Sequence, residues 1–492
     1  MTDFELITNP NKCVYLKVSL LNDGYQEVET LEGEMLELSL TISSESSIRR
    51  IANASFHIED SVDLGTNYFG LWLDRMVQLS YGVQDLTQKN VRWFLLGSFL
   101  FTSSSYRFDV GNRQLNLSIA DMMAAATEER GSQIGTDVEY LEGTEIKDAL
   151  ASTVGRFSPY KRYEIVEFED KLPYDIIIPR GSYPYEALKK IIDLFPWYEQ
   201  FYSKDGVYTV KKVAITMSEP VVLTNKEMEQ IIISEDGNMS YADIKNTTEI
   251  WGKNIDANYT AEECVSASGV YELTIHSTYE HYEEGSLICF TPDEVNGDNQ
   301  KIKAQDLEAY AIWTESGNGT LTPITKGLMQ PERAYVVKYQ DKKFLLQGEA
   351  TIHAMCMEYT QMPNEQAIAY LKEFYNCNDI QIVVNPESRF ACDVIGVKAQ
   401  VLSDGDFANI YTTQLAHERA AYENWKSTRL QDSLTIDTLF VPWLDVNQKI
   451  EYTSIATGIT AQYLVKKIQV KPSSGTMTIS LVKFYPLYPW LE

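Results

Sequence analysis

A chain of 492 residues is too long for one ordinary hydrophobic core, so about two to four domains are expected. Hydrophobic residues make up 44% of the chain and aromatic residues 12%, which excludes general disorder because large cores can be buried. The formal net charge is −28, from 70 acidic and 42 basic side chains. Such a surface repels phosphate, so sequence-independent binding of nucleic acid is not expected.

The sequence indicates a protein made in a reducing cytoplasm and not held in a membrane. Its N-terminal sequence, MTDFELITNPNK, lacks the basic and apolar regions of a secretory signal. No stretch approaches the ~18 consecutive apolar residues of a membrane helix. The six cysteines are scattered without a Cys-x-x-Cys pair, a usage typical of buried free thiols.

Residues 1–118 are predicted to form a first β-barrel or a sandwich. Residues 14–20 alternate apolar and polar side chains with the period of a half-buried strand. Asp23-Gly24 follows, a pair that favours the positive φ angles of a tight hairpin. Short strands separated by turns at this spacing are typical of both folds. The other predicted strands are residues 36–42, 54–58, 76–81, 93–101 and 114–118.

Residues 119–215 are predicted to form a small α+β unit. Ser118 is a plausible N-cap for its first helix. Pro184 stands in the first turn of its third helix, where the missing N–H costs nothing. The predicted elements are helices over residues 119–126, 144–155 and 184–194 and a hairpin over residues 201–213.

The remaining sequence divides into a peripheral β-rich region, residues 216–360, and a C-terminal part, residues 361–492. Strand-like segments alternate with polar loops in the first, which suggests inserted β structure. The C-terminal part is predicted to contain a helix and a second β-barrel that closes the chain. Its predicted helices are residues 365–375, with an apolar stripe, and 412–429; its predicted strands are residues 434–440, 461–470 and 476–484.

Candidate metal-binding and general-base groups are few. His353 and Cys356 lie three residues apart, but no second pair with zinc-like spacing accompanies them, so ordinary strand positions are favoured. His276 and His281 lie in a Glu-rich sequence. That sequence could form a divalent-ion or general-base cluster, although a solvated loop is the preferred interpretation.

Candidate carboxylate pairs for glycoside hydrolysis are also weak. Glu262-Glu263 and Glu283-Glu284 are adjacent, and adjacency on a strand directs side chains to opposite faces. The nucleophile-elbow, phosphate-loop, dinucleotide and HExxH patterns are absent from the sequence. The sequence therefore predicts no catalytic residue, no cofactor and no metal, and the chain is expected not to be an enzyme.

Three aromatic clusters contain proline, and each could be a glycan-stacking platform, a subunit contact or part of a core. Core packing is favoured for residues 195–198 and 441–444. The third cluster, residues 485–490, contains two prolines that prevent a central strand. An exposed aromatic tail of this kind would suit docking onto a neighbouring subunit. The candidate subunit contacts are Tyr485, Tyr488 and Trp490.

Two longer sets of segments resemble a family of phage tail proteins that is often described only as a domain of unknown function. The first set is Trp93-Phe-Leu-Leu-Gly-Ser-Phe99, Thr102-Ser-Ser-Ser and Arg113-Gln-Leu-Asn-Leu-Ser-Ile-Ala-Asp121. The second set is Trp425-Lys-Ser-Thr-Arg-Leu-Gln-Asp-Ser-Leu434, Val441-Pro-Trp-Leu-Asp-Val-Asn-Gln-Lys-Ile-Glu-Tyr452, Ser474-Gly-Thr-Met-Thr-Ile479 and Phe484-Tyr-Pro486.

That family is related to the baseplate hubs of contractile tails and to the N-terminal hub part of tail-associated proteins in long flexible tails. The helix and hairpin of residues 185–213 are also similar to an element of the hub superfamily. The resemblance covers about residues 14–215 and 405–486, whereas residues 253–345 depart from it. The family carries no catalytic residues that could be transferred to this chain.

The resemblance implies a mainly β fold with α+β parts, containing two tube-like β-barrels per chain, and a homotrimer in which six barrels form a ring. Such a ring would be a structural hub that caps or continues the tail tube at the tail tip of a virion made in the host cytoplasm. The implied partners are the tail tube or distal tail protein, the tape-measure protein and a fibre or spike protein. DNA would pass through the acidic lumen without specific binding.

Two alternatives from other functional classes stay open at this point. One is a cell-wall hydrolase at the tail tip. The other is a receptor-binding module that holds host glycans with residues 253–345.

Overall fold

The computed structural model describes residues 2–22, 24–30, 34–57, 75–86, 90–109, 112–168, 171–173, 175–195, 197–213, 219–240, 244–276, 279–315, 320–331, 333–405, 407–410, 412–428 and 431–485. Within them the chain is mainly β. The first part contains α1 (Asp3–Thr8), β1 (Lys12–Leu21), β2 (Glu27–Thr30), β3 (Glu34–Ser43), β4 (Arg50–His57), β5 (Met76–Asp85), β6 (Arg92–Asp109) and β7 (Asn112–Asp121).

The second part contains β8 (Val138–Tyr140), α2 (Ile146–Phe157), β9 (Tyr163–Ile165), β10 (Ile176–Ile178), α3 (Pro184–Ile192), β11 (Tyr198–Tyr202), β12 (Tyr208–Lys212), β13 (Val221–Leu223), α4 (Asn225–Ile231) and β14 (Ile232–Ser240). The third part contains β15 (Thr247–Asn254), β16 (Tyr259–Ala267), β17 (Val270–Ile275), β18 (Leu287–Phe290), β19 (Lys301–Ala304), β20 (Tyr310–Glu315), β21 (Leu321–Pro323), β22 (Tyr335–Gln340), β23 (Lys343–Glu349) and β24 (Thr351–Tyr359).

The last part contains α5 (Glu365–Tyr375), β25 (Ile380–Val384), α6 (Cys392–Ile395), β26 (Ala399–Leu402), α7 (Thr413–Ser427), β27 (Gln431–Leu439), β28 (Lys449–Thr453), β29 (Thr460–Lys471) and β30 (Thr476–Lys483). Three short 3₁₀ turns complete the described elements: Met122–Ala126, Phe407–Asn409 and Pro472–Ser474.

Both ends of the chain contribute to one thirteen-stranded sheet, the main sheet. Its strand order is β14-β27-β30-β29-β3-β4-β7-β6-β5-β1-β2, and β28 joins it by pairing with β29 and with β13. The two ends meet where β3 pairs antiparallel with β29, with Leu40 opposite Val470 and Ile42 opposite Ile468. The outermost strands of this path are β2 and β14.

One hydrophobic core lies against the main sheet, and strands from both ends supply it. Val18 and Leu20, from the alternating pattern of β1, are buried in it. Tyr81 packs edge-to-face on Phe440 with ring centroids 4.8 Å apart, although these residues come from opposite ends of the chain. Since burying one large apolar side chain contributes about 1.5–3 kcal/mol, such contacts tie the two ends into one cooperative unit.

A second core belongs to the α+β unit formed by β8–β12, α2 and α3. The 3₁₀ turn Met122–Ala126 is buried in it, and Met76 and Leu100 connect it to the main sheet. Tyr25 also bridges the two, because its hydroxyl donates to the Gly206 carbonyl at 3.1 Å. A Cβ at Gly206 would lie 2.6 Å from the Tyr25 ring, so glycine fits both this contact and the φ of +72°.

The chain between β15 and β24 forms a unit of its own, here called the inserted unit. β15 and β24 pair antiparallel, with Trp251 opposite His353, so the chain leaves and returns at neighbouring points. Strands β16–β23 form an eight-stranded sheet in the order β19-β17-β16-β18-β22-β23-β20-β21. Its separate core contains Tyr271, Phe290 and Phe344.

A four-stranded sheet, β25-β24-β15-β26, links the inserted unit to the C-terminal strands. Helix α7 packs on one face of this sheet through Ala416, Ala420 and Ala421, which are fully buried. Small side chains at these positions allow the helix to approach Ile250 and Ala354 closely.

The structure corrects two helix predictions in the α+β unit. Residues 119–121 continue strand β7, because Ile119 and Ala120 pair with β4 and Asp121 pairs with β6. The following turn is capped by Asp121 instead of Ser118. Helix α2 begins at Ile146 and runs through Gly155 to Phe157. The predicted helix over residues 184–194 is confirmed as α3, and the predicted hairpin as β11 and β12.

The C-terminal predictions are confirmed for the two helices and three strands, with one difference in packing. Helix α5 has no buried residue, and its Tyr370 and Phe374 are 62% and 64% exposed. The apolar stripe predicted for α5 is therefore only partly covered by the rest of the chain. Strand β28 is an additional element between β27 and β29.

Candidate functional site

The structure separates His353 and Cys356. His353 stacks on Trp251, with ring centroids 3.8 Å apart, and its Nε2 lies 2.8 Å from Glu249 Oε1. Cys356 is buried beneath α7, and burial raises the pKa of its thiol well above the usual value. Among the described residues, no group of three or more His, Cys, Asp or Glu side chains is placed to hold a metal ion.

The two Glu pairs do not form a shared carboxylate site. Glu262 and Glu263 are both exposed on β16, where the strand register shifts between Ala261 and Glu263. Glu283 and Glu284 lie in a loop, where Glu283 accepts from the Tyr259 hydroxyl at 3.2 Å. His276 and His281 are exposed near this loop, which agrees with the solvated interpretation.

Two of the aromatic clusters contribute to cores. Val441 and Leu444 are buried in the main core, and Trp443 packs against Phe94 with ring centroids 5.8 Å apart. Phe195 is buried in the core of the α+β unit. Trp197 differs from this expectation, because it is half-buried and lines a cleft.

Tyr485, the first candidate subunit contact, is half-buried, and the Lys483 ammonium lies 5.6 Å from its ring centroid. Tyr488 and Trp490 lie outside the described residues. The assignment of these three residues as subunit contacts therefore stays a prediction.

A buried ionic junction, which sequence reasoning missed, joins three distant parts of the chain. Arg49, immediately before β4, pairs with Glu199 on β11, and its guanidinium lies 3.5 Å from the Phe201 ring centroid. The neighbouring Arg50 pairs with Asp445 and donates to the Tyr202 carbonyl at 3.0 Å. Both arginines are nearly fully buried. The available signal was a pair of adjacent arginines where β4 begins, in a chain with a net charge of −28.

Asp121 supports this junction from the end of β7. Its carboxylate accepts hydrogen bonds from the backbone N–H groups of Arg50 and Met123, at 2.8 and 2.9 Å. The side chain is completely buried, and this burial raises the pKa of Asp121 to about 6 despite the two bonds and the nearby arginines. Buried charges of this kind need their partners, since removing one partner leaves an uncompensated charge.

A cleft of about 940 Å³, here called the α7 cleft, lies between the α+β unit and helix α7. One wall is apolar and aromatic and carries Trp197, which packs against Tyr422 with ring centroids 6.4 Å apart. Two cationic residues, Lys171 and Arg333, and the acidic Glu418 also line it, and Lys171 pairs with Glu145 at 2.7 Å. The other lining residues used below are Phe195, Trp197, Gln381, Gln414, Leu415 and His417.

The floor of the α7 cleft is an ionic network that anchors the inserted unit. Arg333 donates to Glu349 and to Asp379, each at 3.0 Å. His417 Nε2 lies 3.5 Å from Asp379 Oδ1. Burial opposes ionisation of Asp379, but His417 and Arg333 outweigh it and lower the pKa of this carboxyl. The network therefore holds the inserted unit against both α7 and the start of β25.

The outer strands of the main sheet both combine acidic side chains with an exposed aliphatic side chain. The short edge strand β2 carries Glu27 and Glu29, and Glu27 pairs with Lys17 at 2.7 Å. Charged side chains on a short edge strand discourage pairing with another sheet. Strand β14 exposes Ile233, which is 56% accessible, and also carries Glu235 and Asp236, while β2 exposes Val28, which is 48% accessible.

In the part of the chain that the structure describes, no helix is long and apolar enough to cross a membrane. Residues 387–488 match the model of a family described as a domain of unknown function, DUF5048. A search of curated proteins found no match.

The chain is similar to several solved structures at low sequence identity. The tail protein from Neisseria meningitidis MC58 is 11% identical, covers 96% of this chain and 98% of its own length, and has a TM-score of 0.45. The 43 kDa tail protein of prophage MuSo2 from Shewanella oneidensis is 10% identical, with coverages of 95% and 98% and a TM-score of 0.46. The prophage tail protein gp18 from Listeria monocytogenes EGD-e is 8% identical, with coverages of 95% and 94% and a TM-score of 0.41. Phage tail proteins, the class that the sequence segments resemble, are thus among the structures similar to this chain.

Proposed function

We propose that the chain is a structural subunit of a phage or phage-like tail, a hub at the tail tip that forms a trimeric ring. One observation carries this proposal. The segments that resemble tail proteins lie far apart in sequence, yet β6, β7, β27 and β30, which contain much of them, belong to the same main sheet. The resemblance therefore follows a single folded framework.

The proposed organisation keeps two tube-like β-barrel units within this framework. Residues 1–118 would supply the first and residues 361–492 the helix and the second, while residues 119–215 would form the α+β unit. Residues 216–360 would form the peripheral β-rich region, except for β13 and β14, which belong to the main sheet. Three copies would place six such units around a lumen. Closing a ring satisfies strand edges that would otherwise lead to aggregation.

The proposed partners follow from this position in the tail. The ring would contact the tail tube or distal tail protein on one side and a fibre or spike protein on the other, with the end of the tape-measure protein in its lumen. The net charge of −28 would discourage DNA from binding to the wall as it passes. The location would be the tail tip of the virion.

We further propose that this role is not enzymatic. The candidate groups of the sequence lie apart, as described for His353, Cys356 and the two Glu pairs. The glycan-binding alternative would require exposed ring faces. In the described part of residues 253–345, however, the exposed large apolar side chains are the aliphatic Val265, Val295 and Leu328.

Light scattering combined with negative-stain microscopy tests the hub. Three chains of 56.1 kDa give about 168 kDa, and rings or caps on tail tubes are expected when the partner tail proteins are added.

Replacing Ile233 by Asp on the β14 edge should prevent trimer formation without changing the melting temperature. The matched control is Ile177→Asp, at a similarly exposed position of the α+β unit. Monomers that never join tail proteins would contradict the proposal.

A further inference from the structure

We infer that the α7 cleft is a binding site for an uncharged saccharide. This inference goes beyond the proposed hub function and does not depend on it, and it places the ligand away from residues 253–345. It rests on two buried acceptors without donors, on an aromatic wall, and on charged lining side chains that already have partners within the chain.

Two buried atoms at the cleft have no hydrogen-bond partner among the described residues. They belong to lining residues and are Oε1 of Gln381, on β25, and Nδ1 of His417, on α7. Nε2 of His417 lies 3.5 Å from Asp379 Oδ1, so a neutral ring that donates from Nε2 leaves Nδ1 as an acceptor. A buried acceptor without a donor is unfavourable. The cleft therefore favours a ligand that brings O–H or N–H donors.

The charged lining side chains that the structure describes do not select a charged ligand. Lys171 pairs with Glu145 at 2.7 Å, and Arg333 is held by the two carboxylates of the cleft floor. The acidic Glu418 also lines the cleft and accepts from the Gln414 amide at 3.1 Å. An anion would thus meet a carboxylate and cations that are already paired. A hydroxyl group both donates and accepts, so it can bond to the unpaired acceptors and to the remaining N–H groups of Arg333.

The aromatic wall suits the apolar face of a sugar ring. Trp197 is half-buried at the cleft and packs against Tyr422, and Phe195 and Leu415 line the cleft beside it. A pyranose carries C–H groups on its faces and hydroxyl groups at its edge, so one face can pack on the indole while the edge reaches the acceptors. An apolar wall with a few polar groups is typical of ligand sites, and about 940 Å³ has room for a short oligosaccharide.

Ligand-observed NMR of the full chain tests this inference, with maltotriose, chitotriose and lactose as neutral probes. Saturable binding of at least one probe is expected, with a Kd below about 10 mM. Inorganic phosphate should not displace it. Trp197→Ala should weaken the binding at least about tenfold, because the ring that packs on the sugar is lost. Gln381→Leu should weaken it about fivefold, since one acceptor is lost.

A matched substitution separates a binding role of Gln381 from a structural one. Gln381→Leu removes an acceptor that has no donor, so the melting temperature should not fall. Gln400 lies on β26, at the other edge of the same four-stranded sheet, and its amide donates to Thr248 at 2.9 Å and to Ser427 at 3.0 Å. Gln400→Leu should therefore lower the melting temperature and leave saccharide binding unchanged.

The outcomes that contradict the site are distinct from those that contradict the hub. Absence of saturable binding by all three neutral probes, or binding that neither Trp197→Ala nor Gln381→Leu weakens, would overturn the saccharide site. Displacement by phosphate would overturn the uncharged class of ligand. A trimer that binds no probe would leave the hub standing, whereas a chain that binds a probe but stays monomeric with its partner tail proteins would support the site and contradict the hub.

Discussion

The Arg49–Glu199 pair is the clearest residue-scale determinant of how the parts of the chain are joined. We predict that Arg49→Gln lowers the free energy of unfolding by about 3 kcal/mol, because Glu199 then remains buried without its main partner. Scanning calorimetry of the first transition measures this loss. Arg92→Gln, which breaks the exposed pair with Asp3, is the control and should cost less than about 1 kcal/mol. Equal losses of unfolding free energy in the two variants would show that the buried junction stabilises the fold no more than an exposed ion pair does.

Asp121 makes a second residue-scale prediction, which concerns pH. Burial raises its folded pKa to about 6, above the unfolded value of 3.8, so the protonated form favours folding. The contribution of protonated Asp121 to the stability of the fold is fully present below about pH 4 and is lost as pH rises through 6. Asp121→Asn should remove this pH dependence, which is about 3 kcal/mol at most from a shift of this size.

The measurement is the melting temperature of both proteins between pH 4 and 8. In the Asp121→Asn variant the new side-chain amide would face the Arg50 N–H, so a constant loss of stability is expected at every pH. The difference in melting temperature between variant and parent should change between pH 4 and 6 and stay constant above pH 6. A difference that is flat throughout would contradict the raised pKa of Asp121.

At the scale of elements, close packing of α7 depends on its small side chains. Ala420 is fully buried against the four-stranded sheet, so Ala420→Leu should destabilise the protein by about 1–3 kcal/mol through overpacking. Ala369→Leu, at an exposed position of α5, is the matched control and should be nearly neutral. Thermal unfolding measures both. If Ala420→Leu left the thermal stability unchanged, α7 would have to be able to move away from the sheet.

The elements also show what local sequence predicts and what it cannot. Alternation located β1, and the helices α5 and α7 followed from their composition, because these signals are local. The helix predicted over residues 119–126 is reduced to the 3₁₀ turn Met122–Ala126, since Ile119 and Ala120 pair with β4, and tertiary pairing overrides helix propensity. The same limit hid the β3–β29 pairing, which joins residues 40–43 to 467–470, and the inward position of Arg49. The aromatic wall at Trp197 was assigned to a core because a sequence does not show where two units leave a cleft.

At the scale of the whole molecule, the inserted unit should be separable from the framework. Asn254 and Thr351 are opposite each other on β15 and β24, so a short Gly-Ser turn can replace the residues between them. We predict that the shortened protein keeps the main sheet and still forms the proposed trimer. The unit has its own core and contacts the rest through the Arg333 network and through the hydrogen bond from Thr413 to Glu349. Circular dichroism and light scattering, with the full chain as the reference, measure fold and assembly.

Aggregation of the shortened protein would show instead that the unit is needed to cover the four-stranded sheet. A folded monomer would place the subunit contacts in the inserted unit, away from the β14 edge.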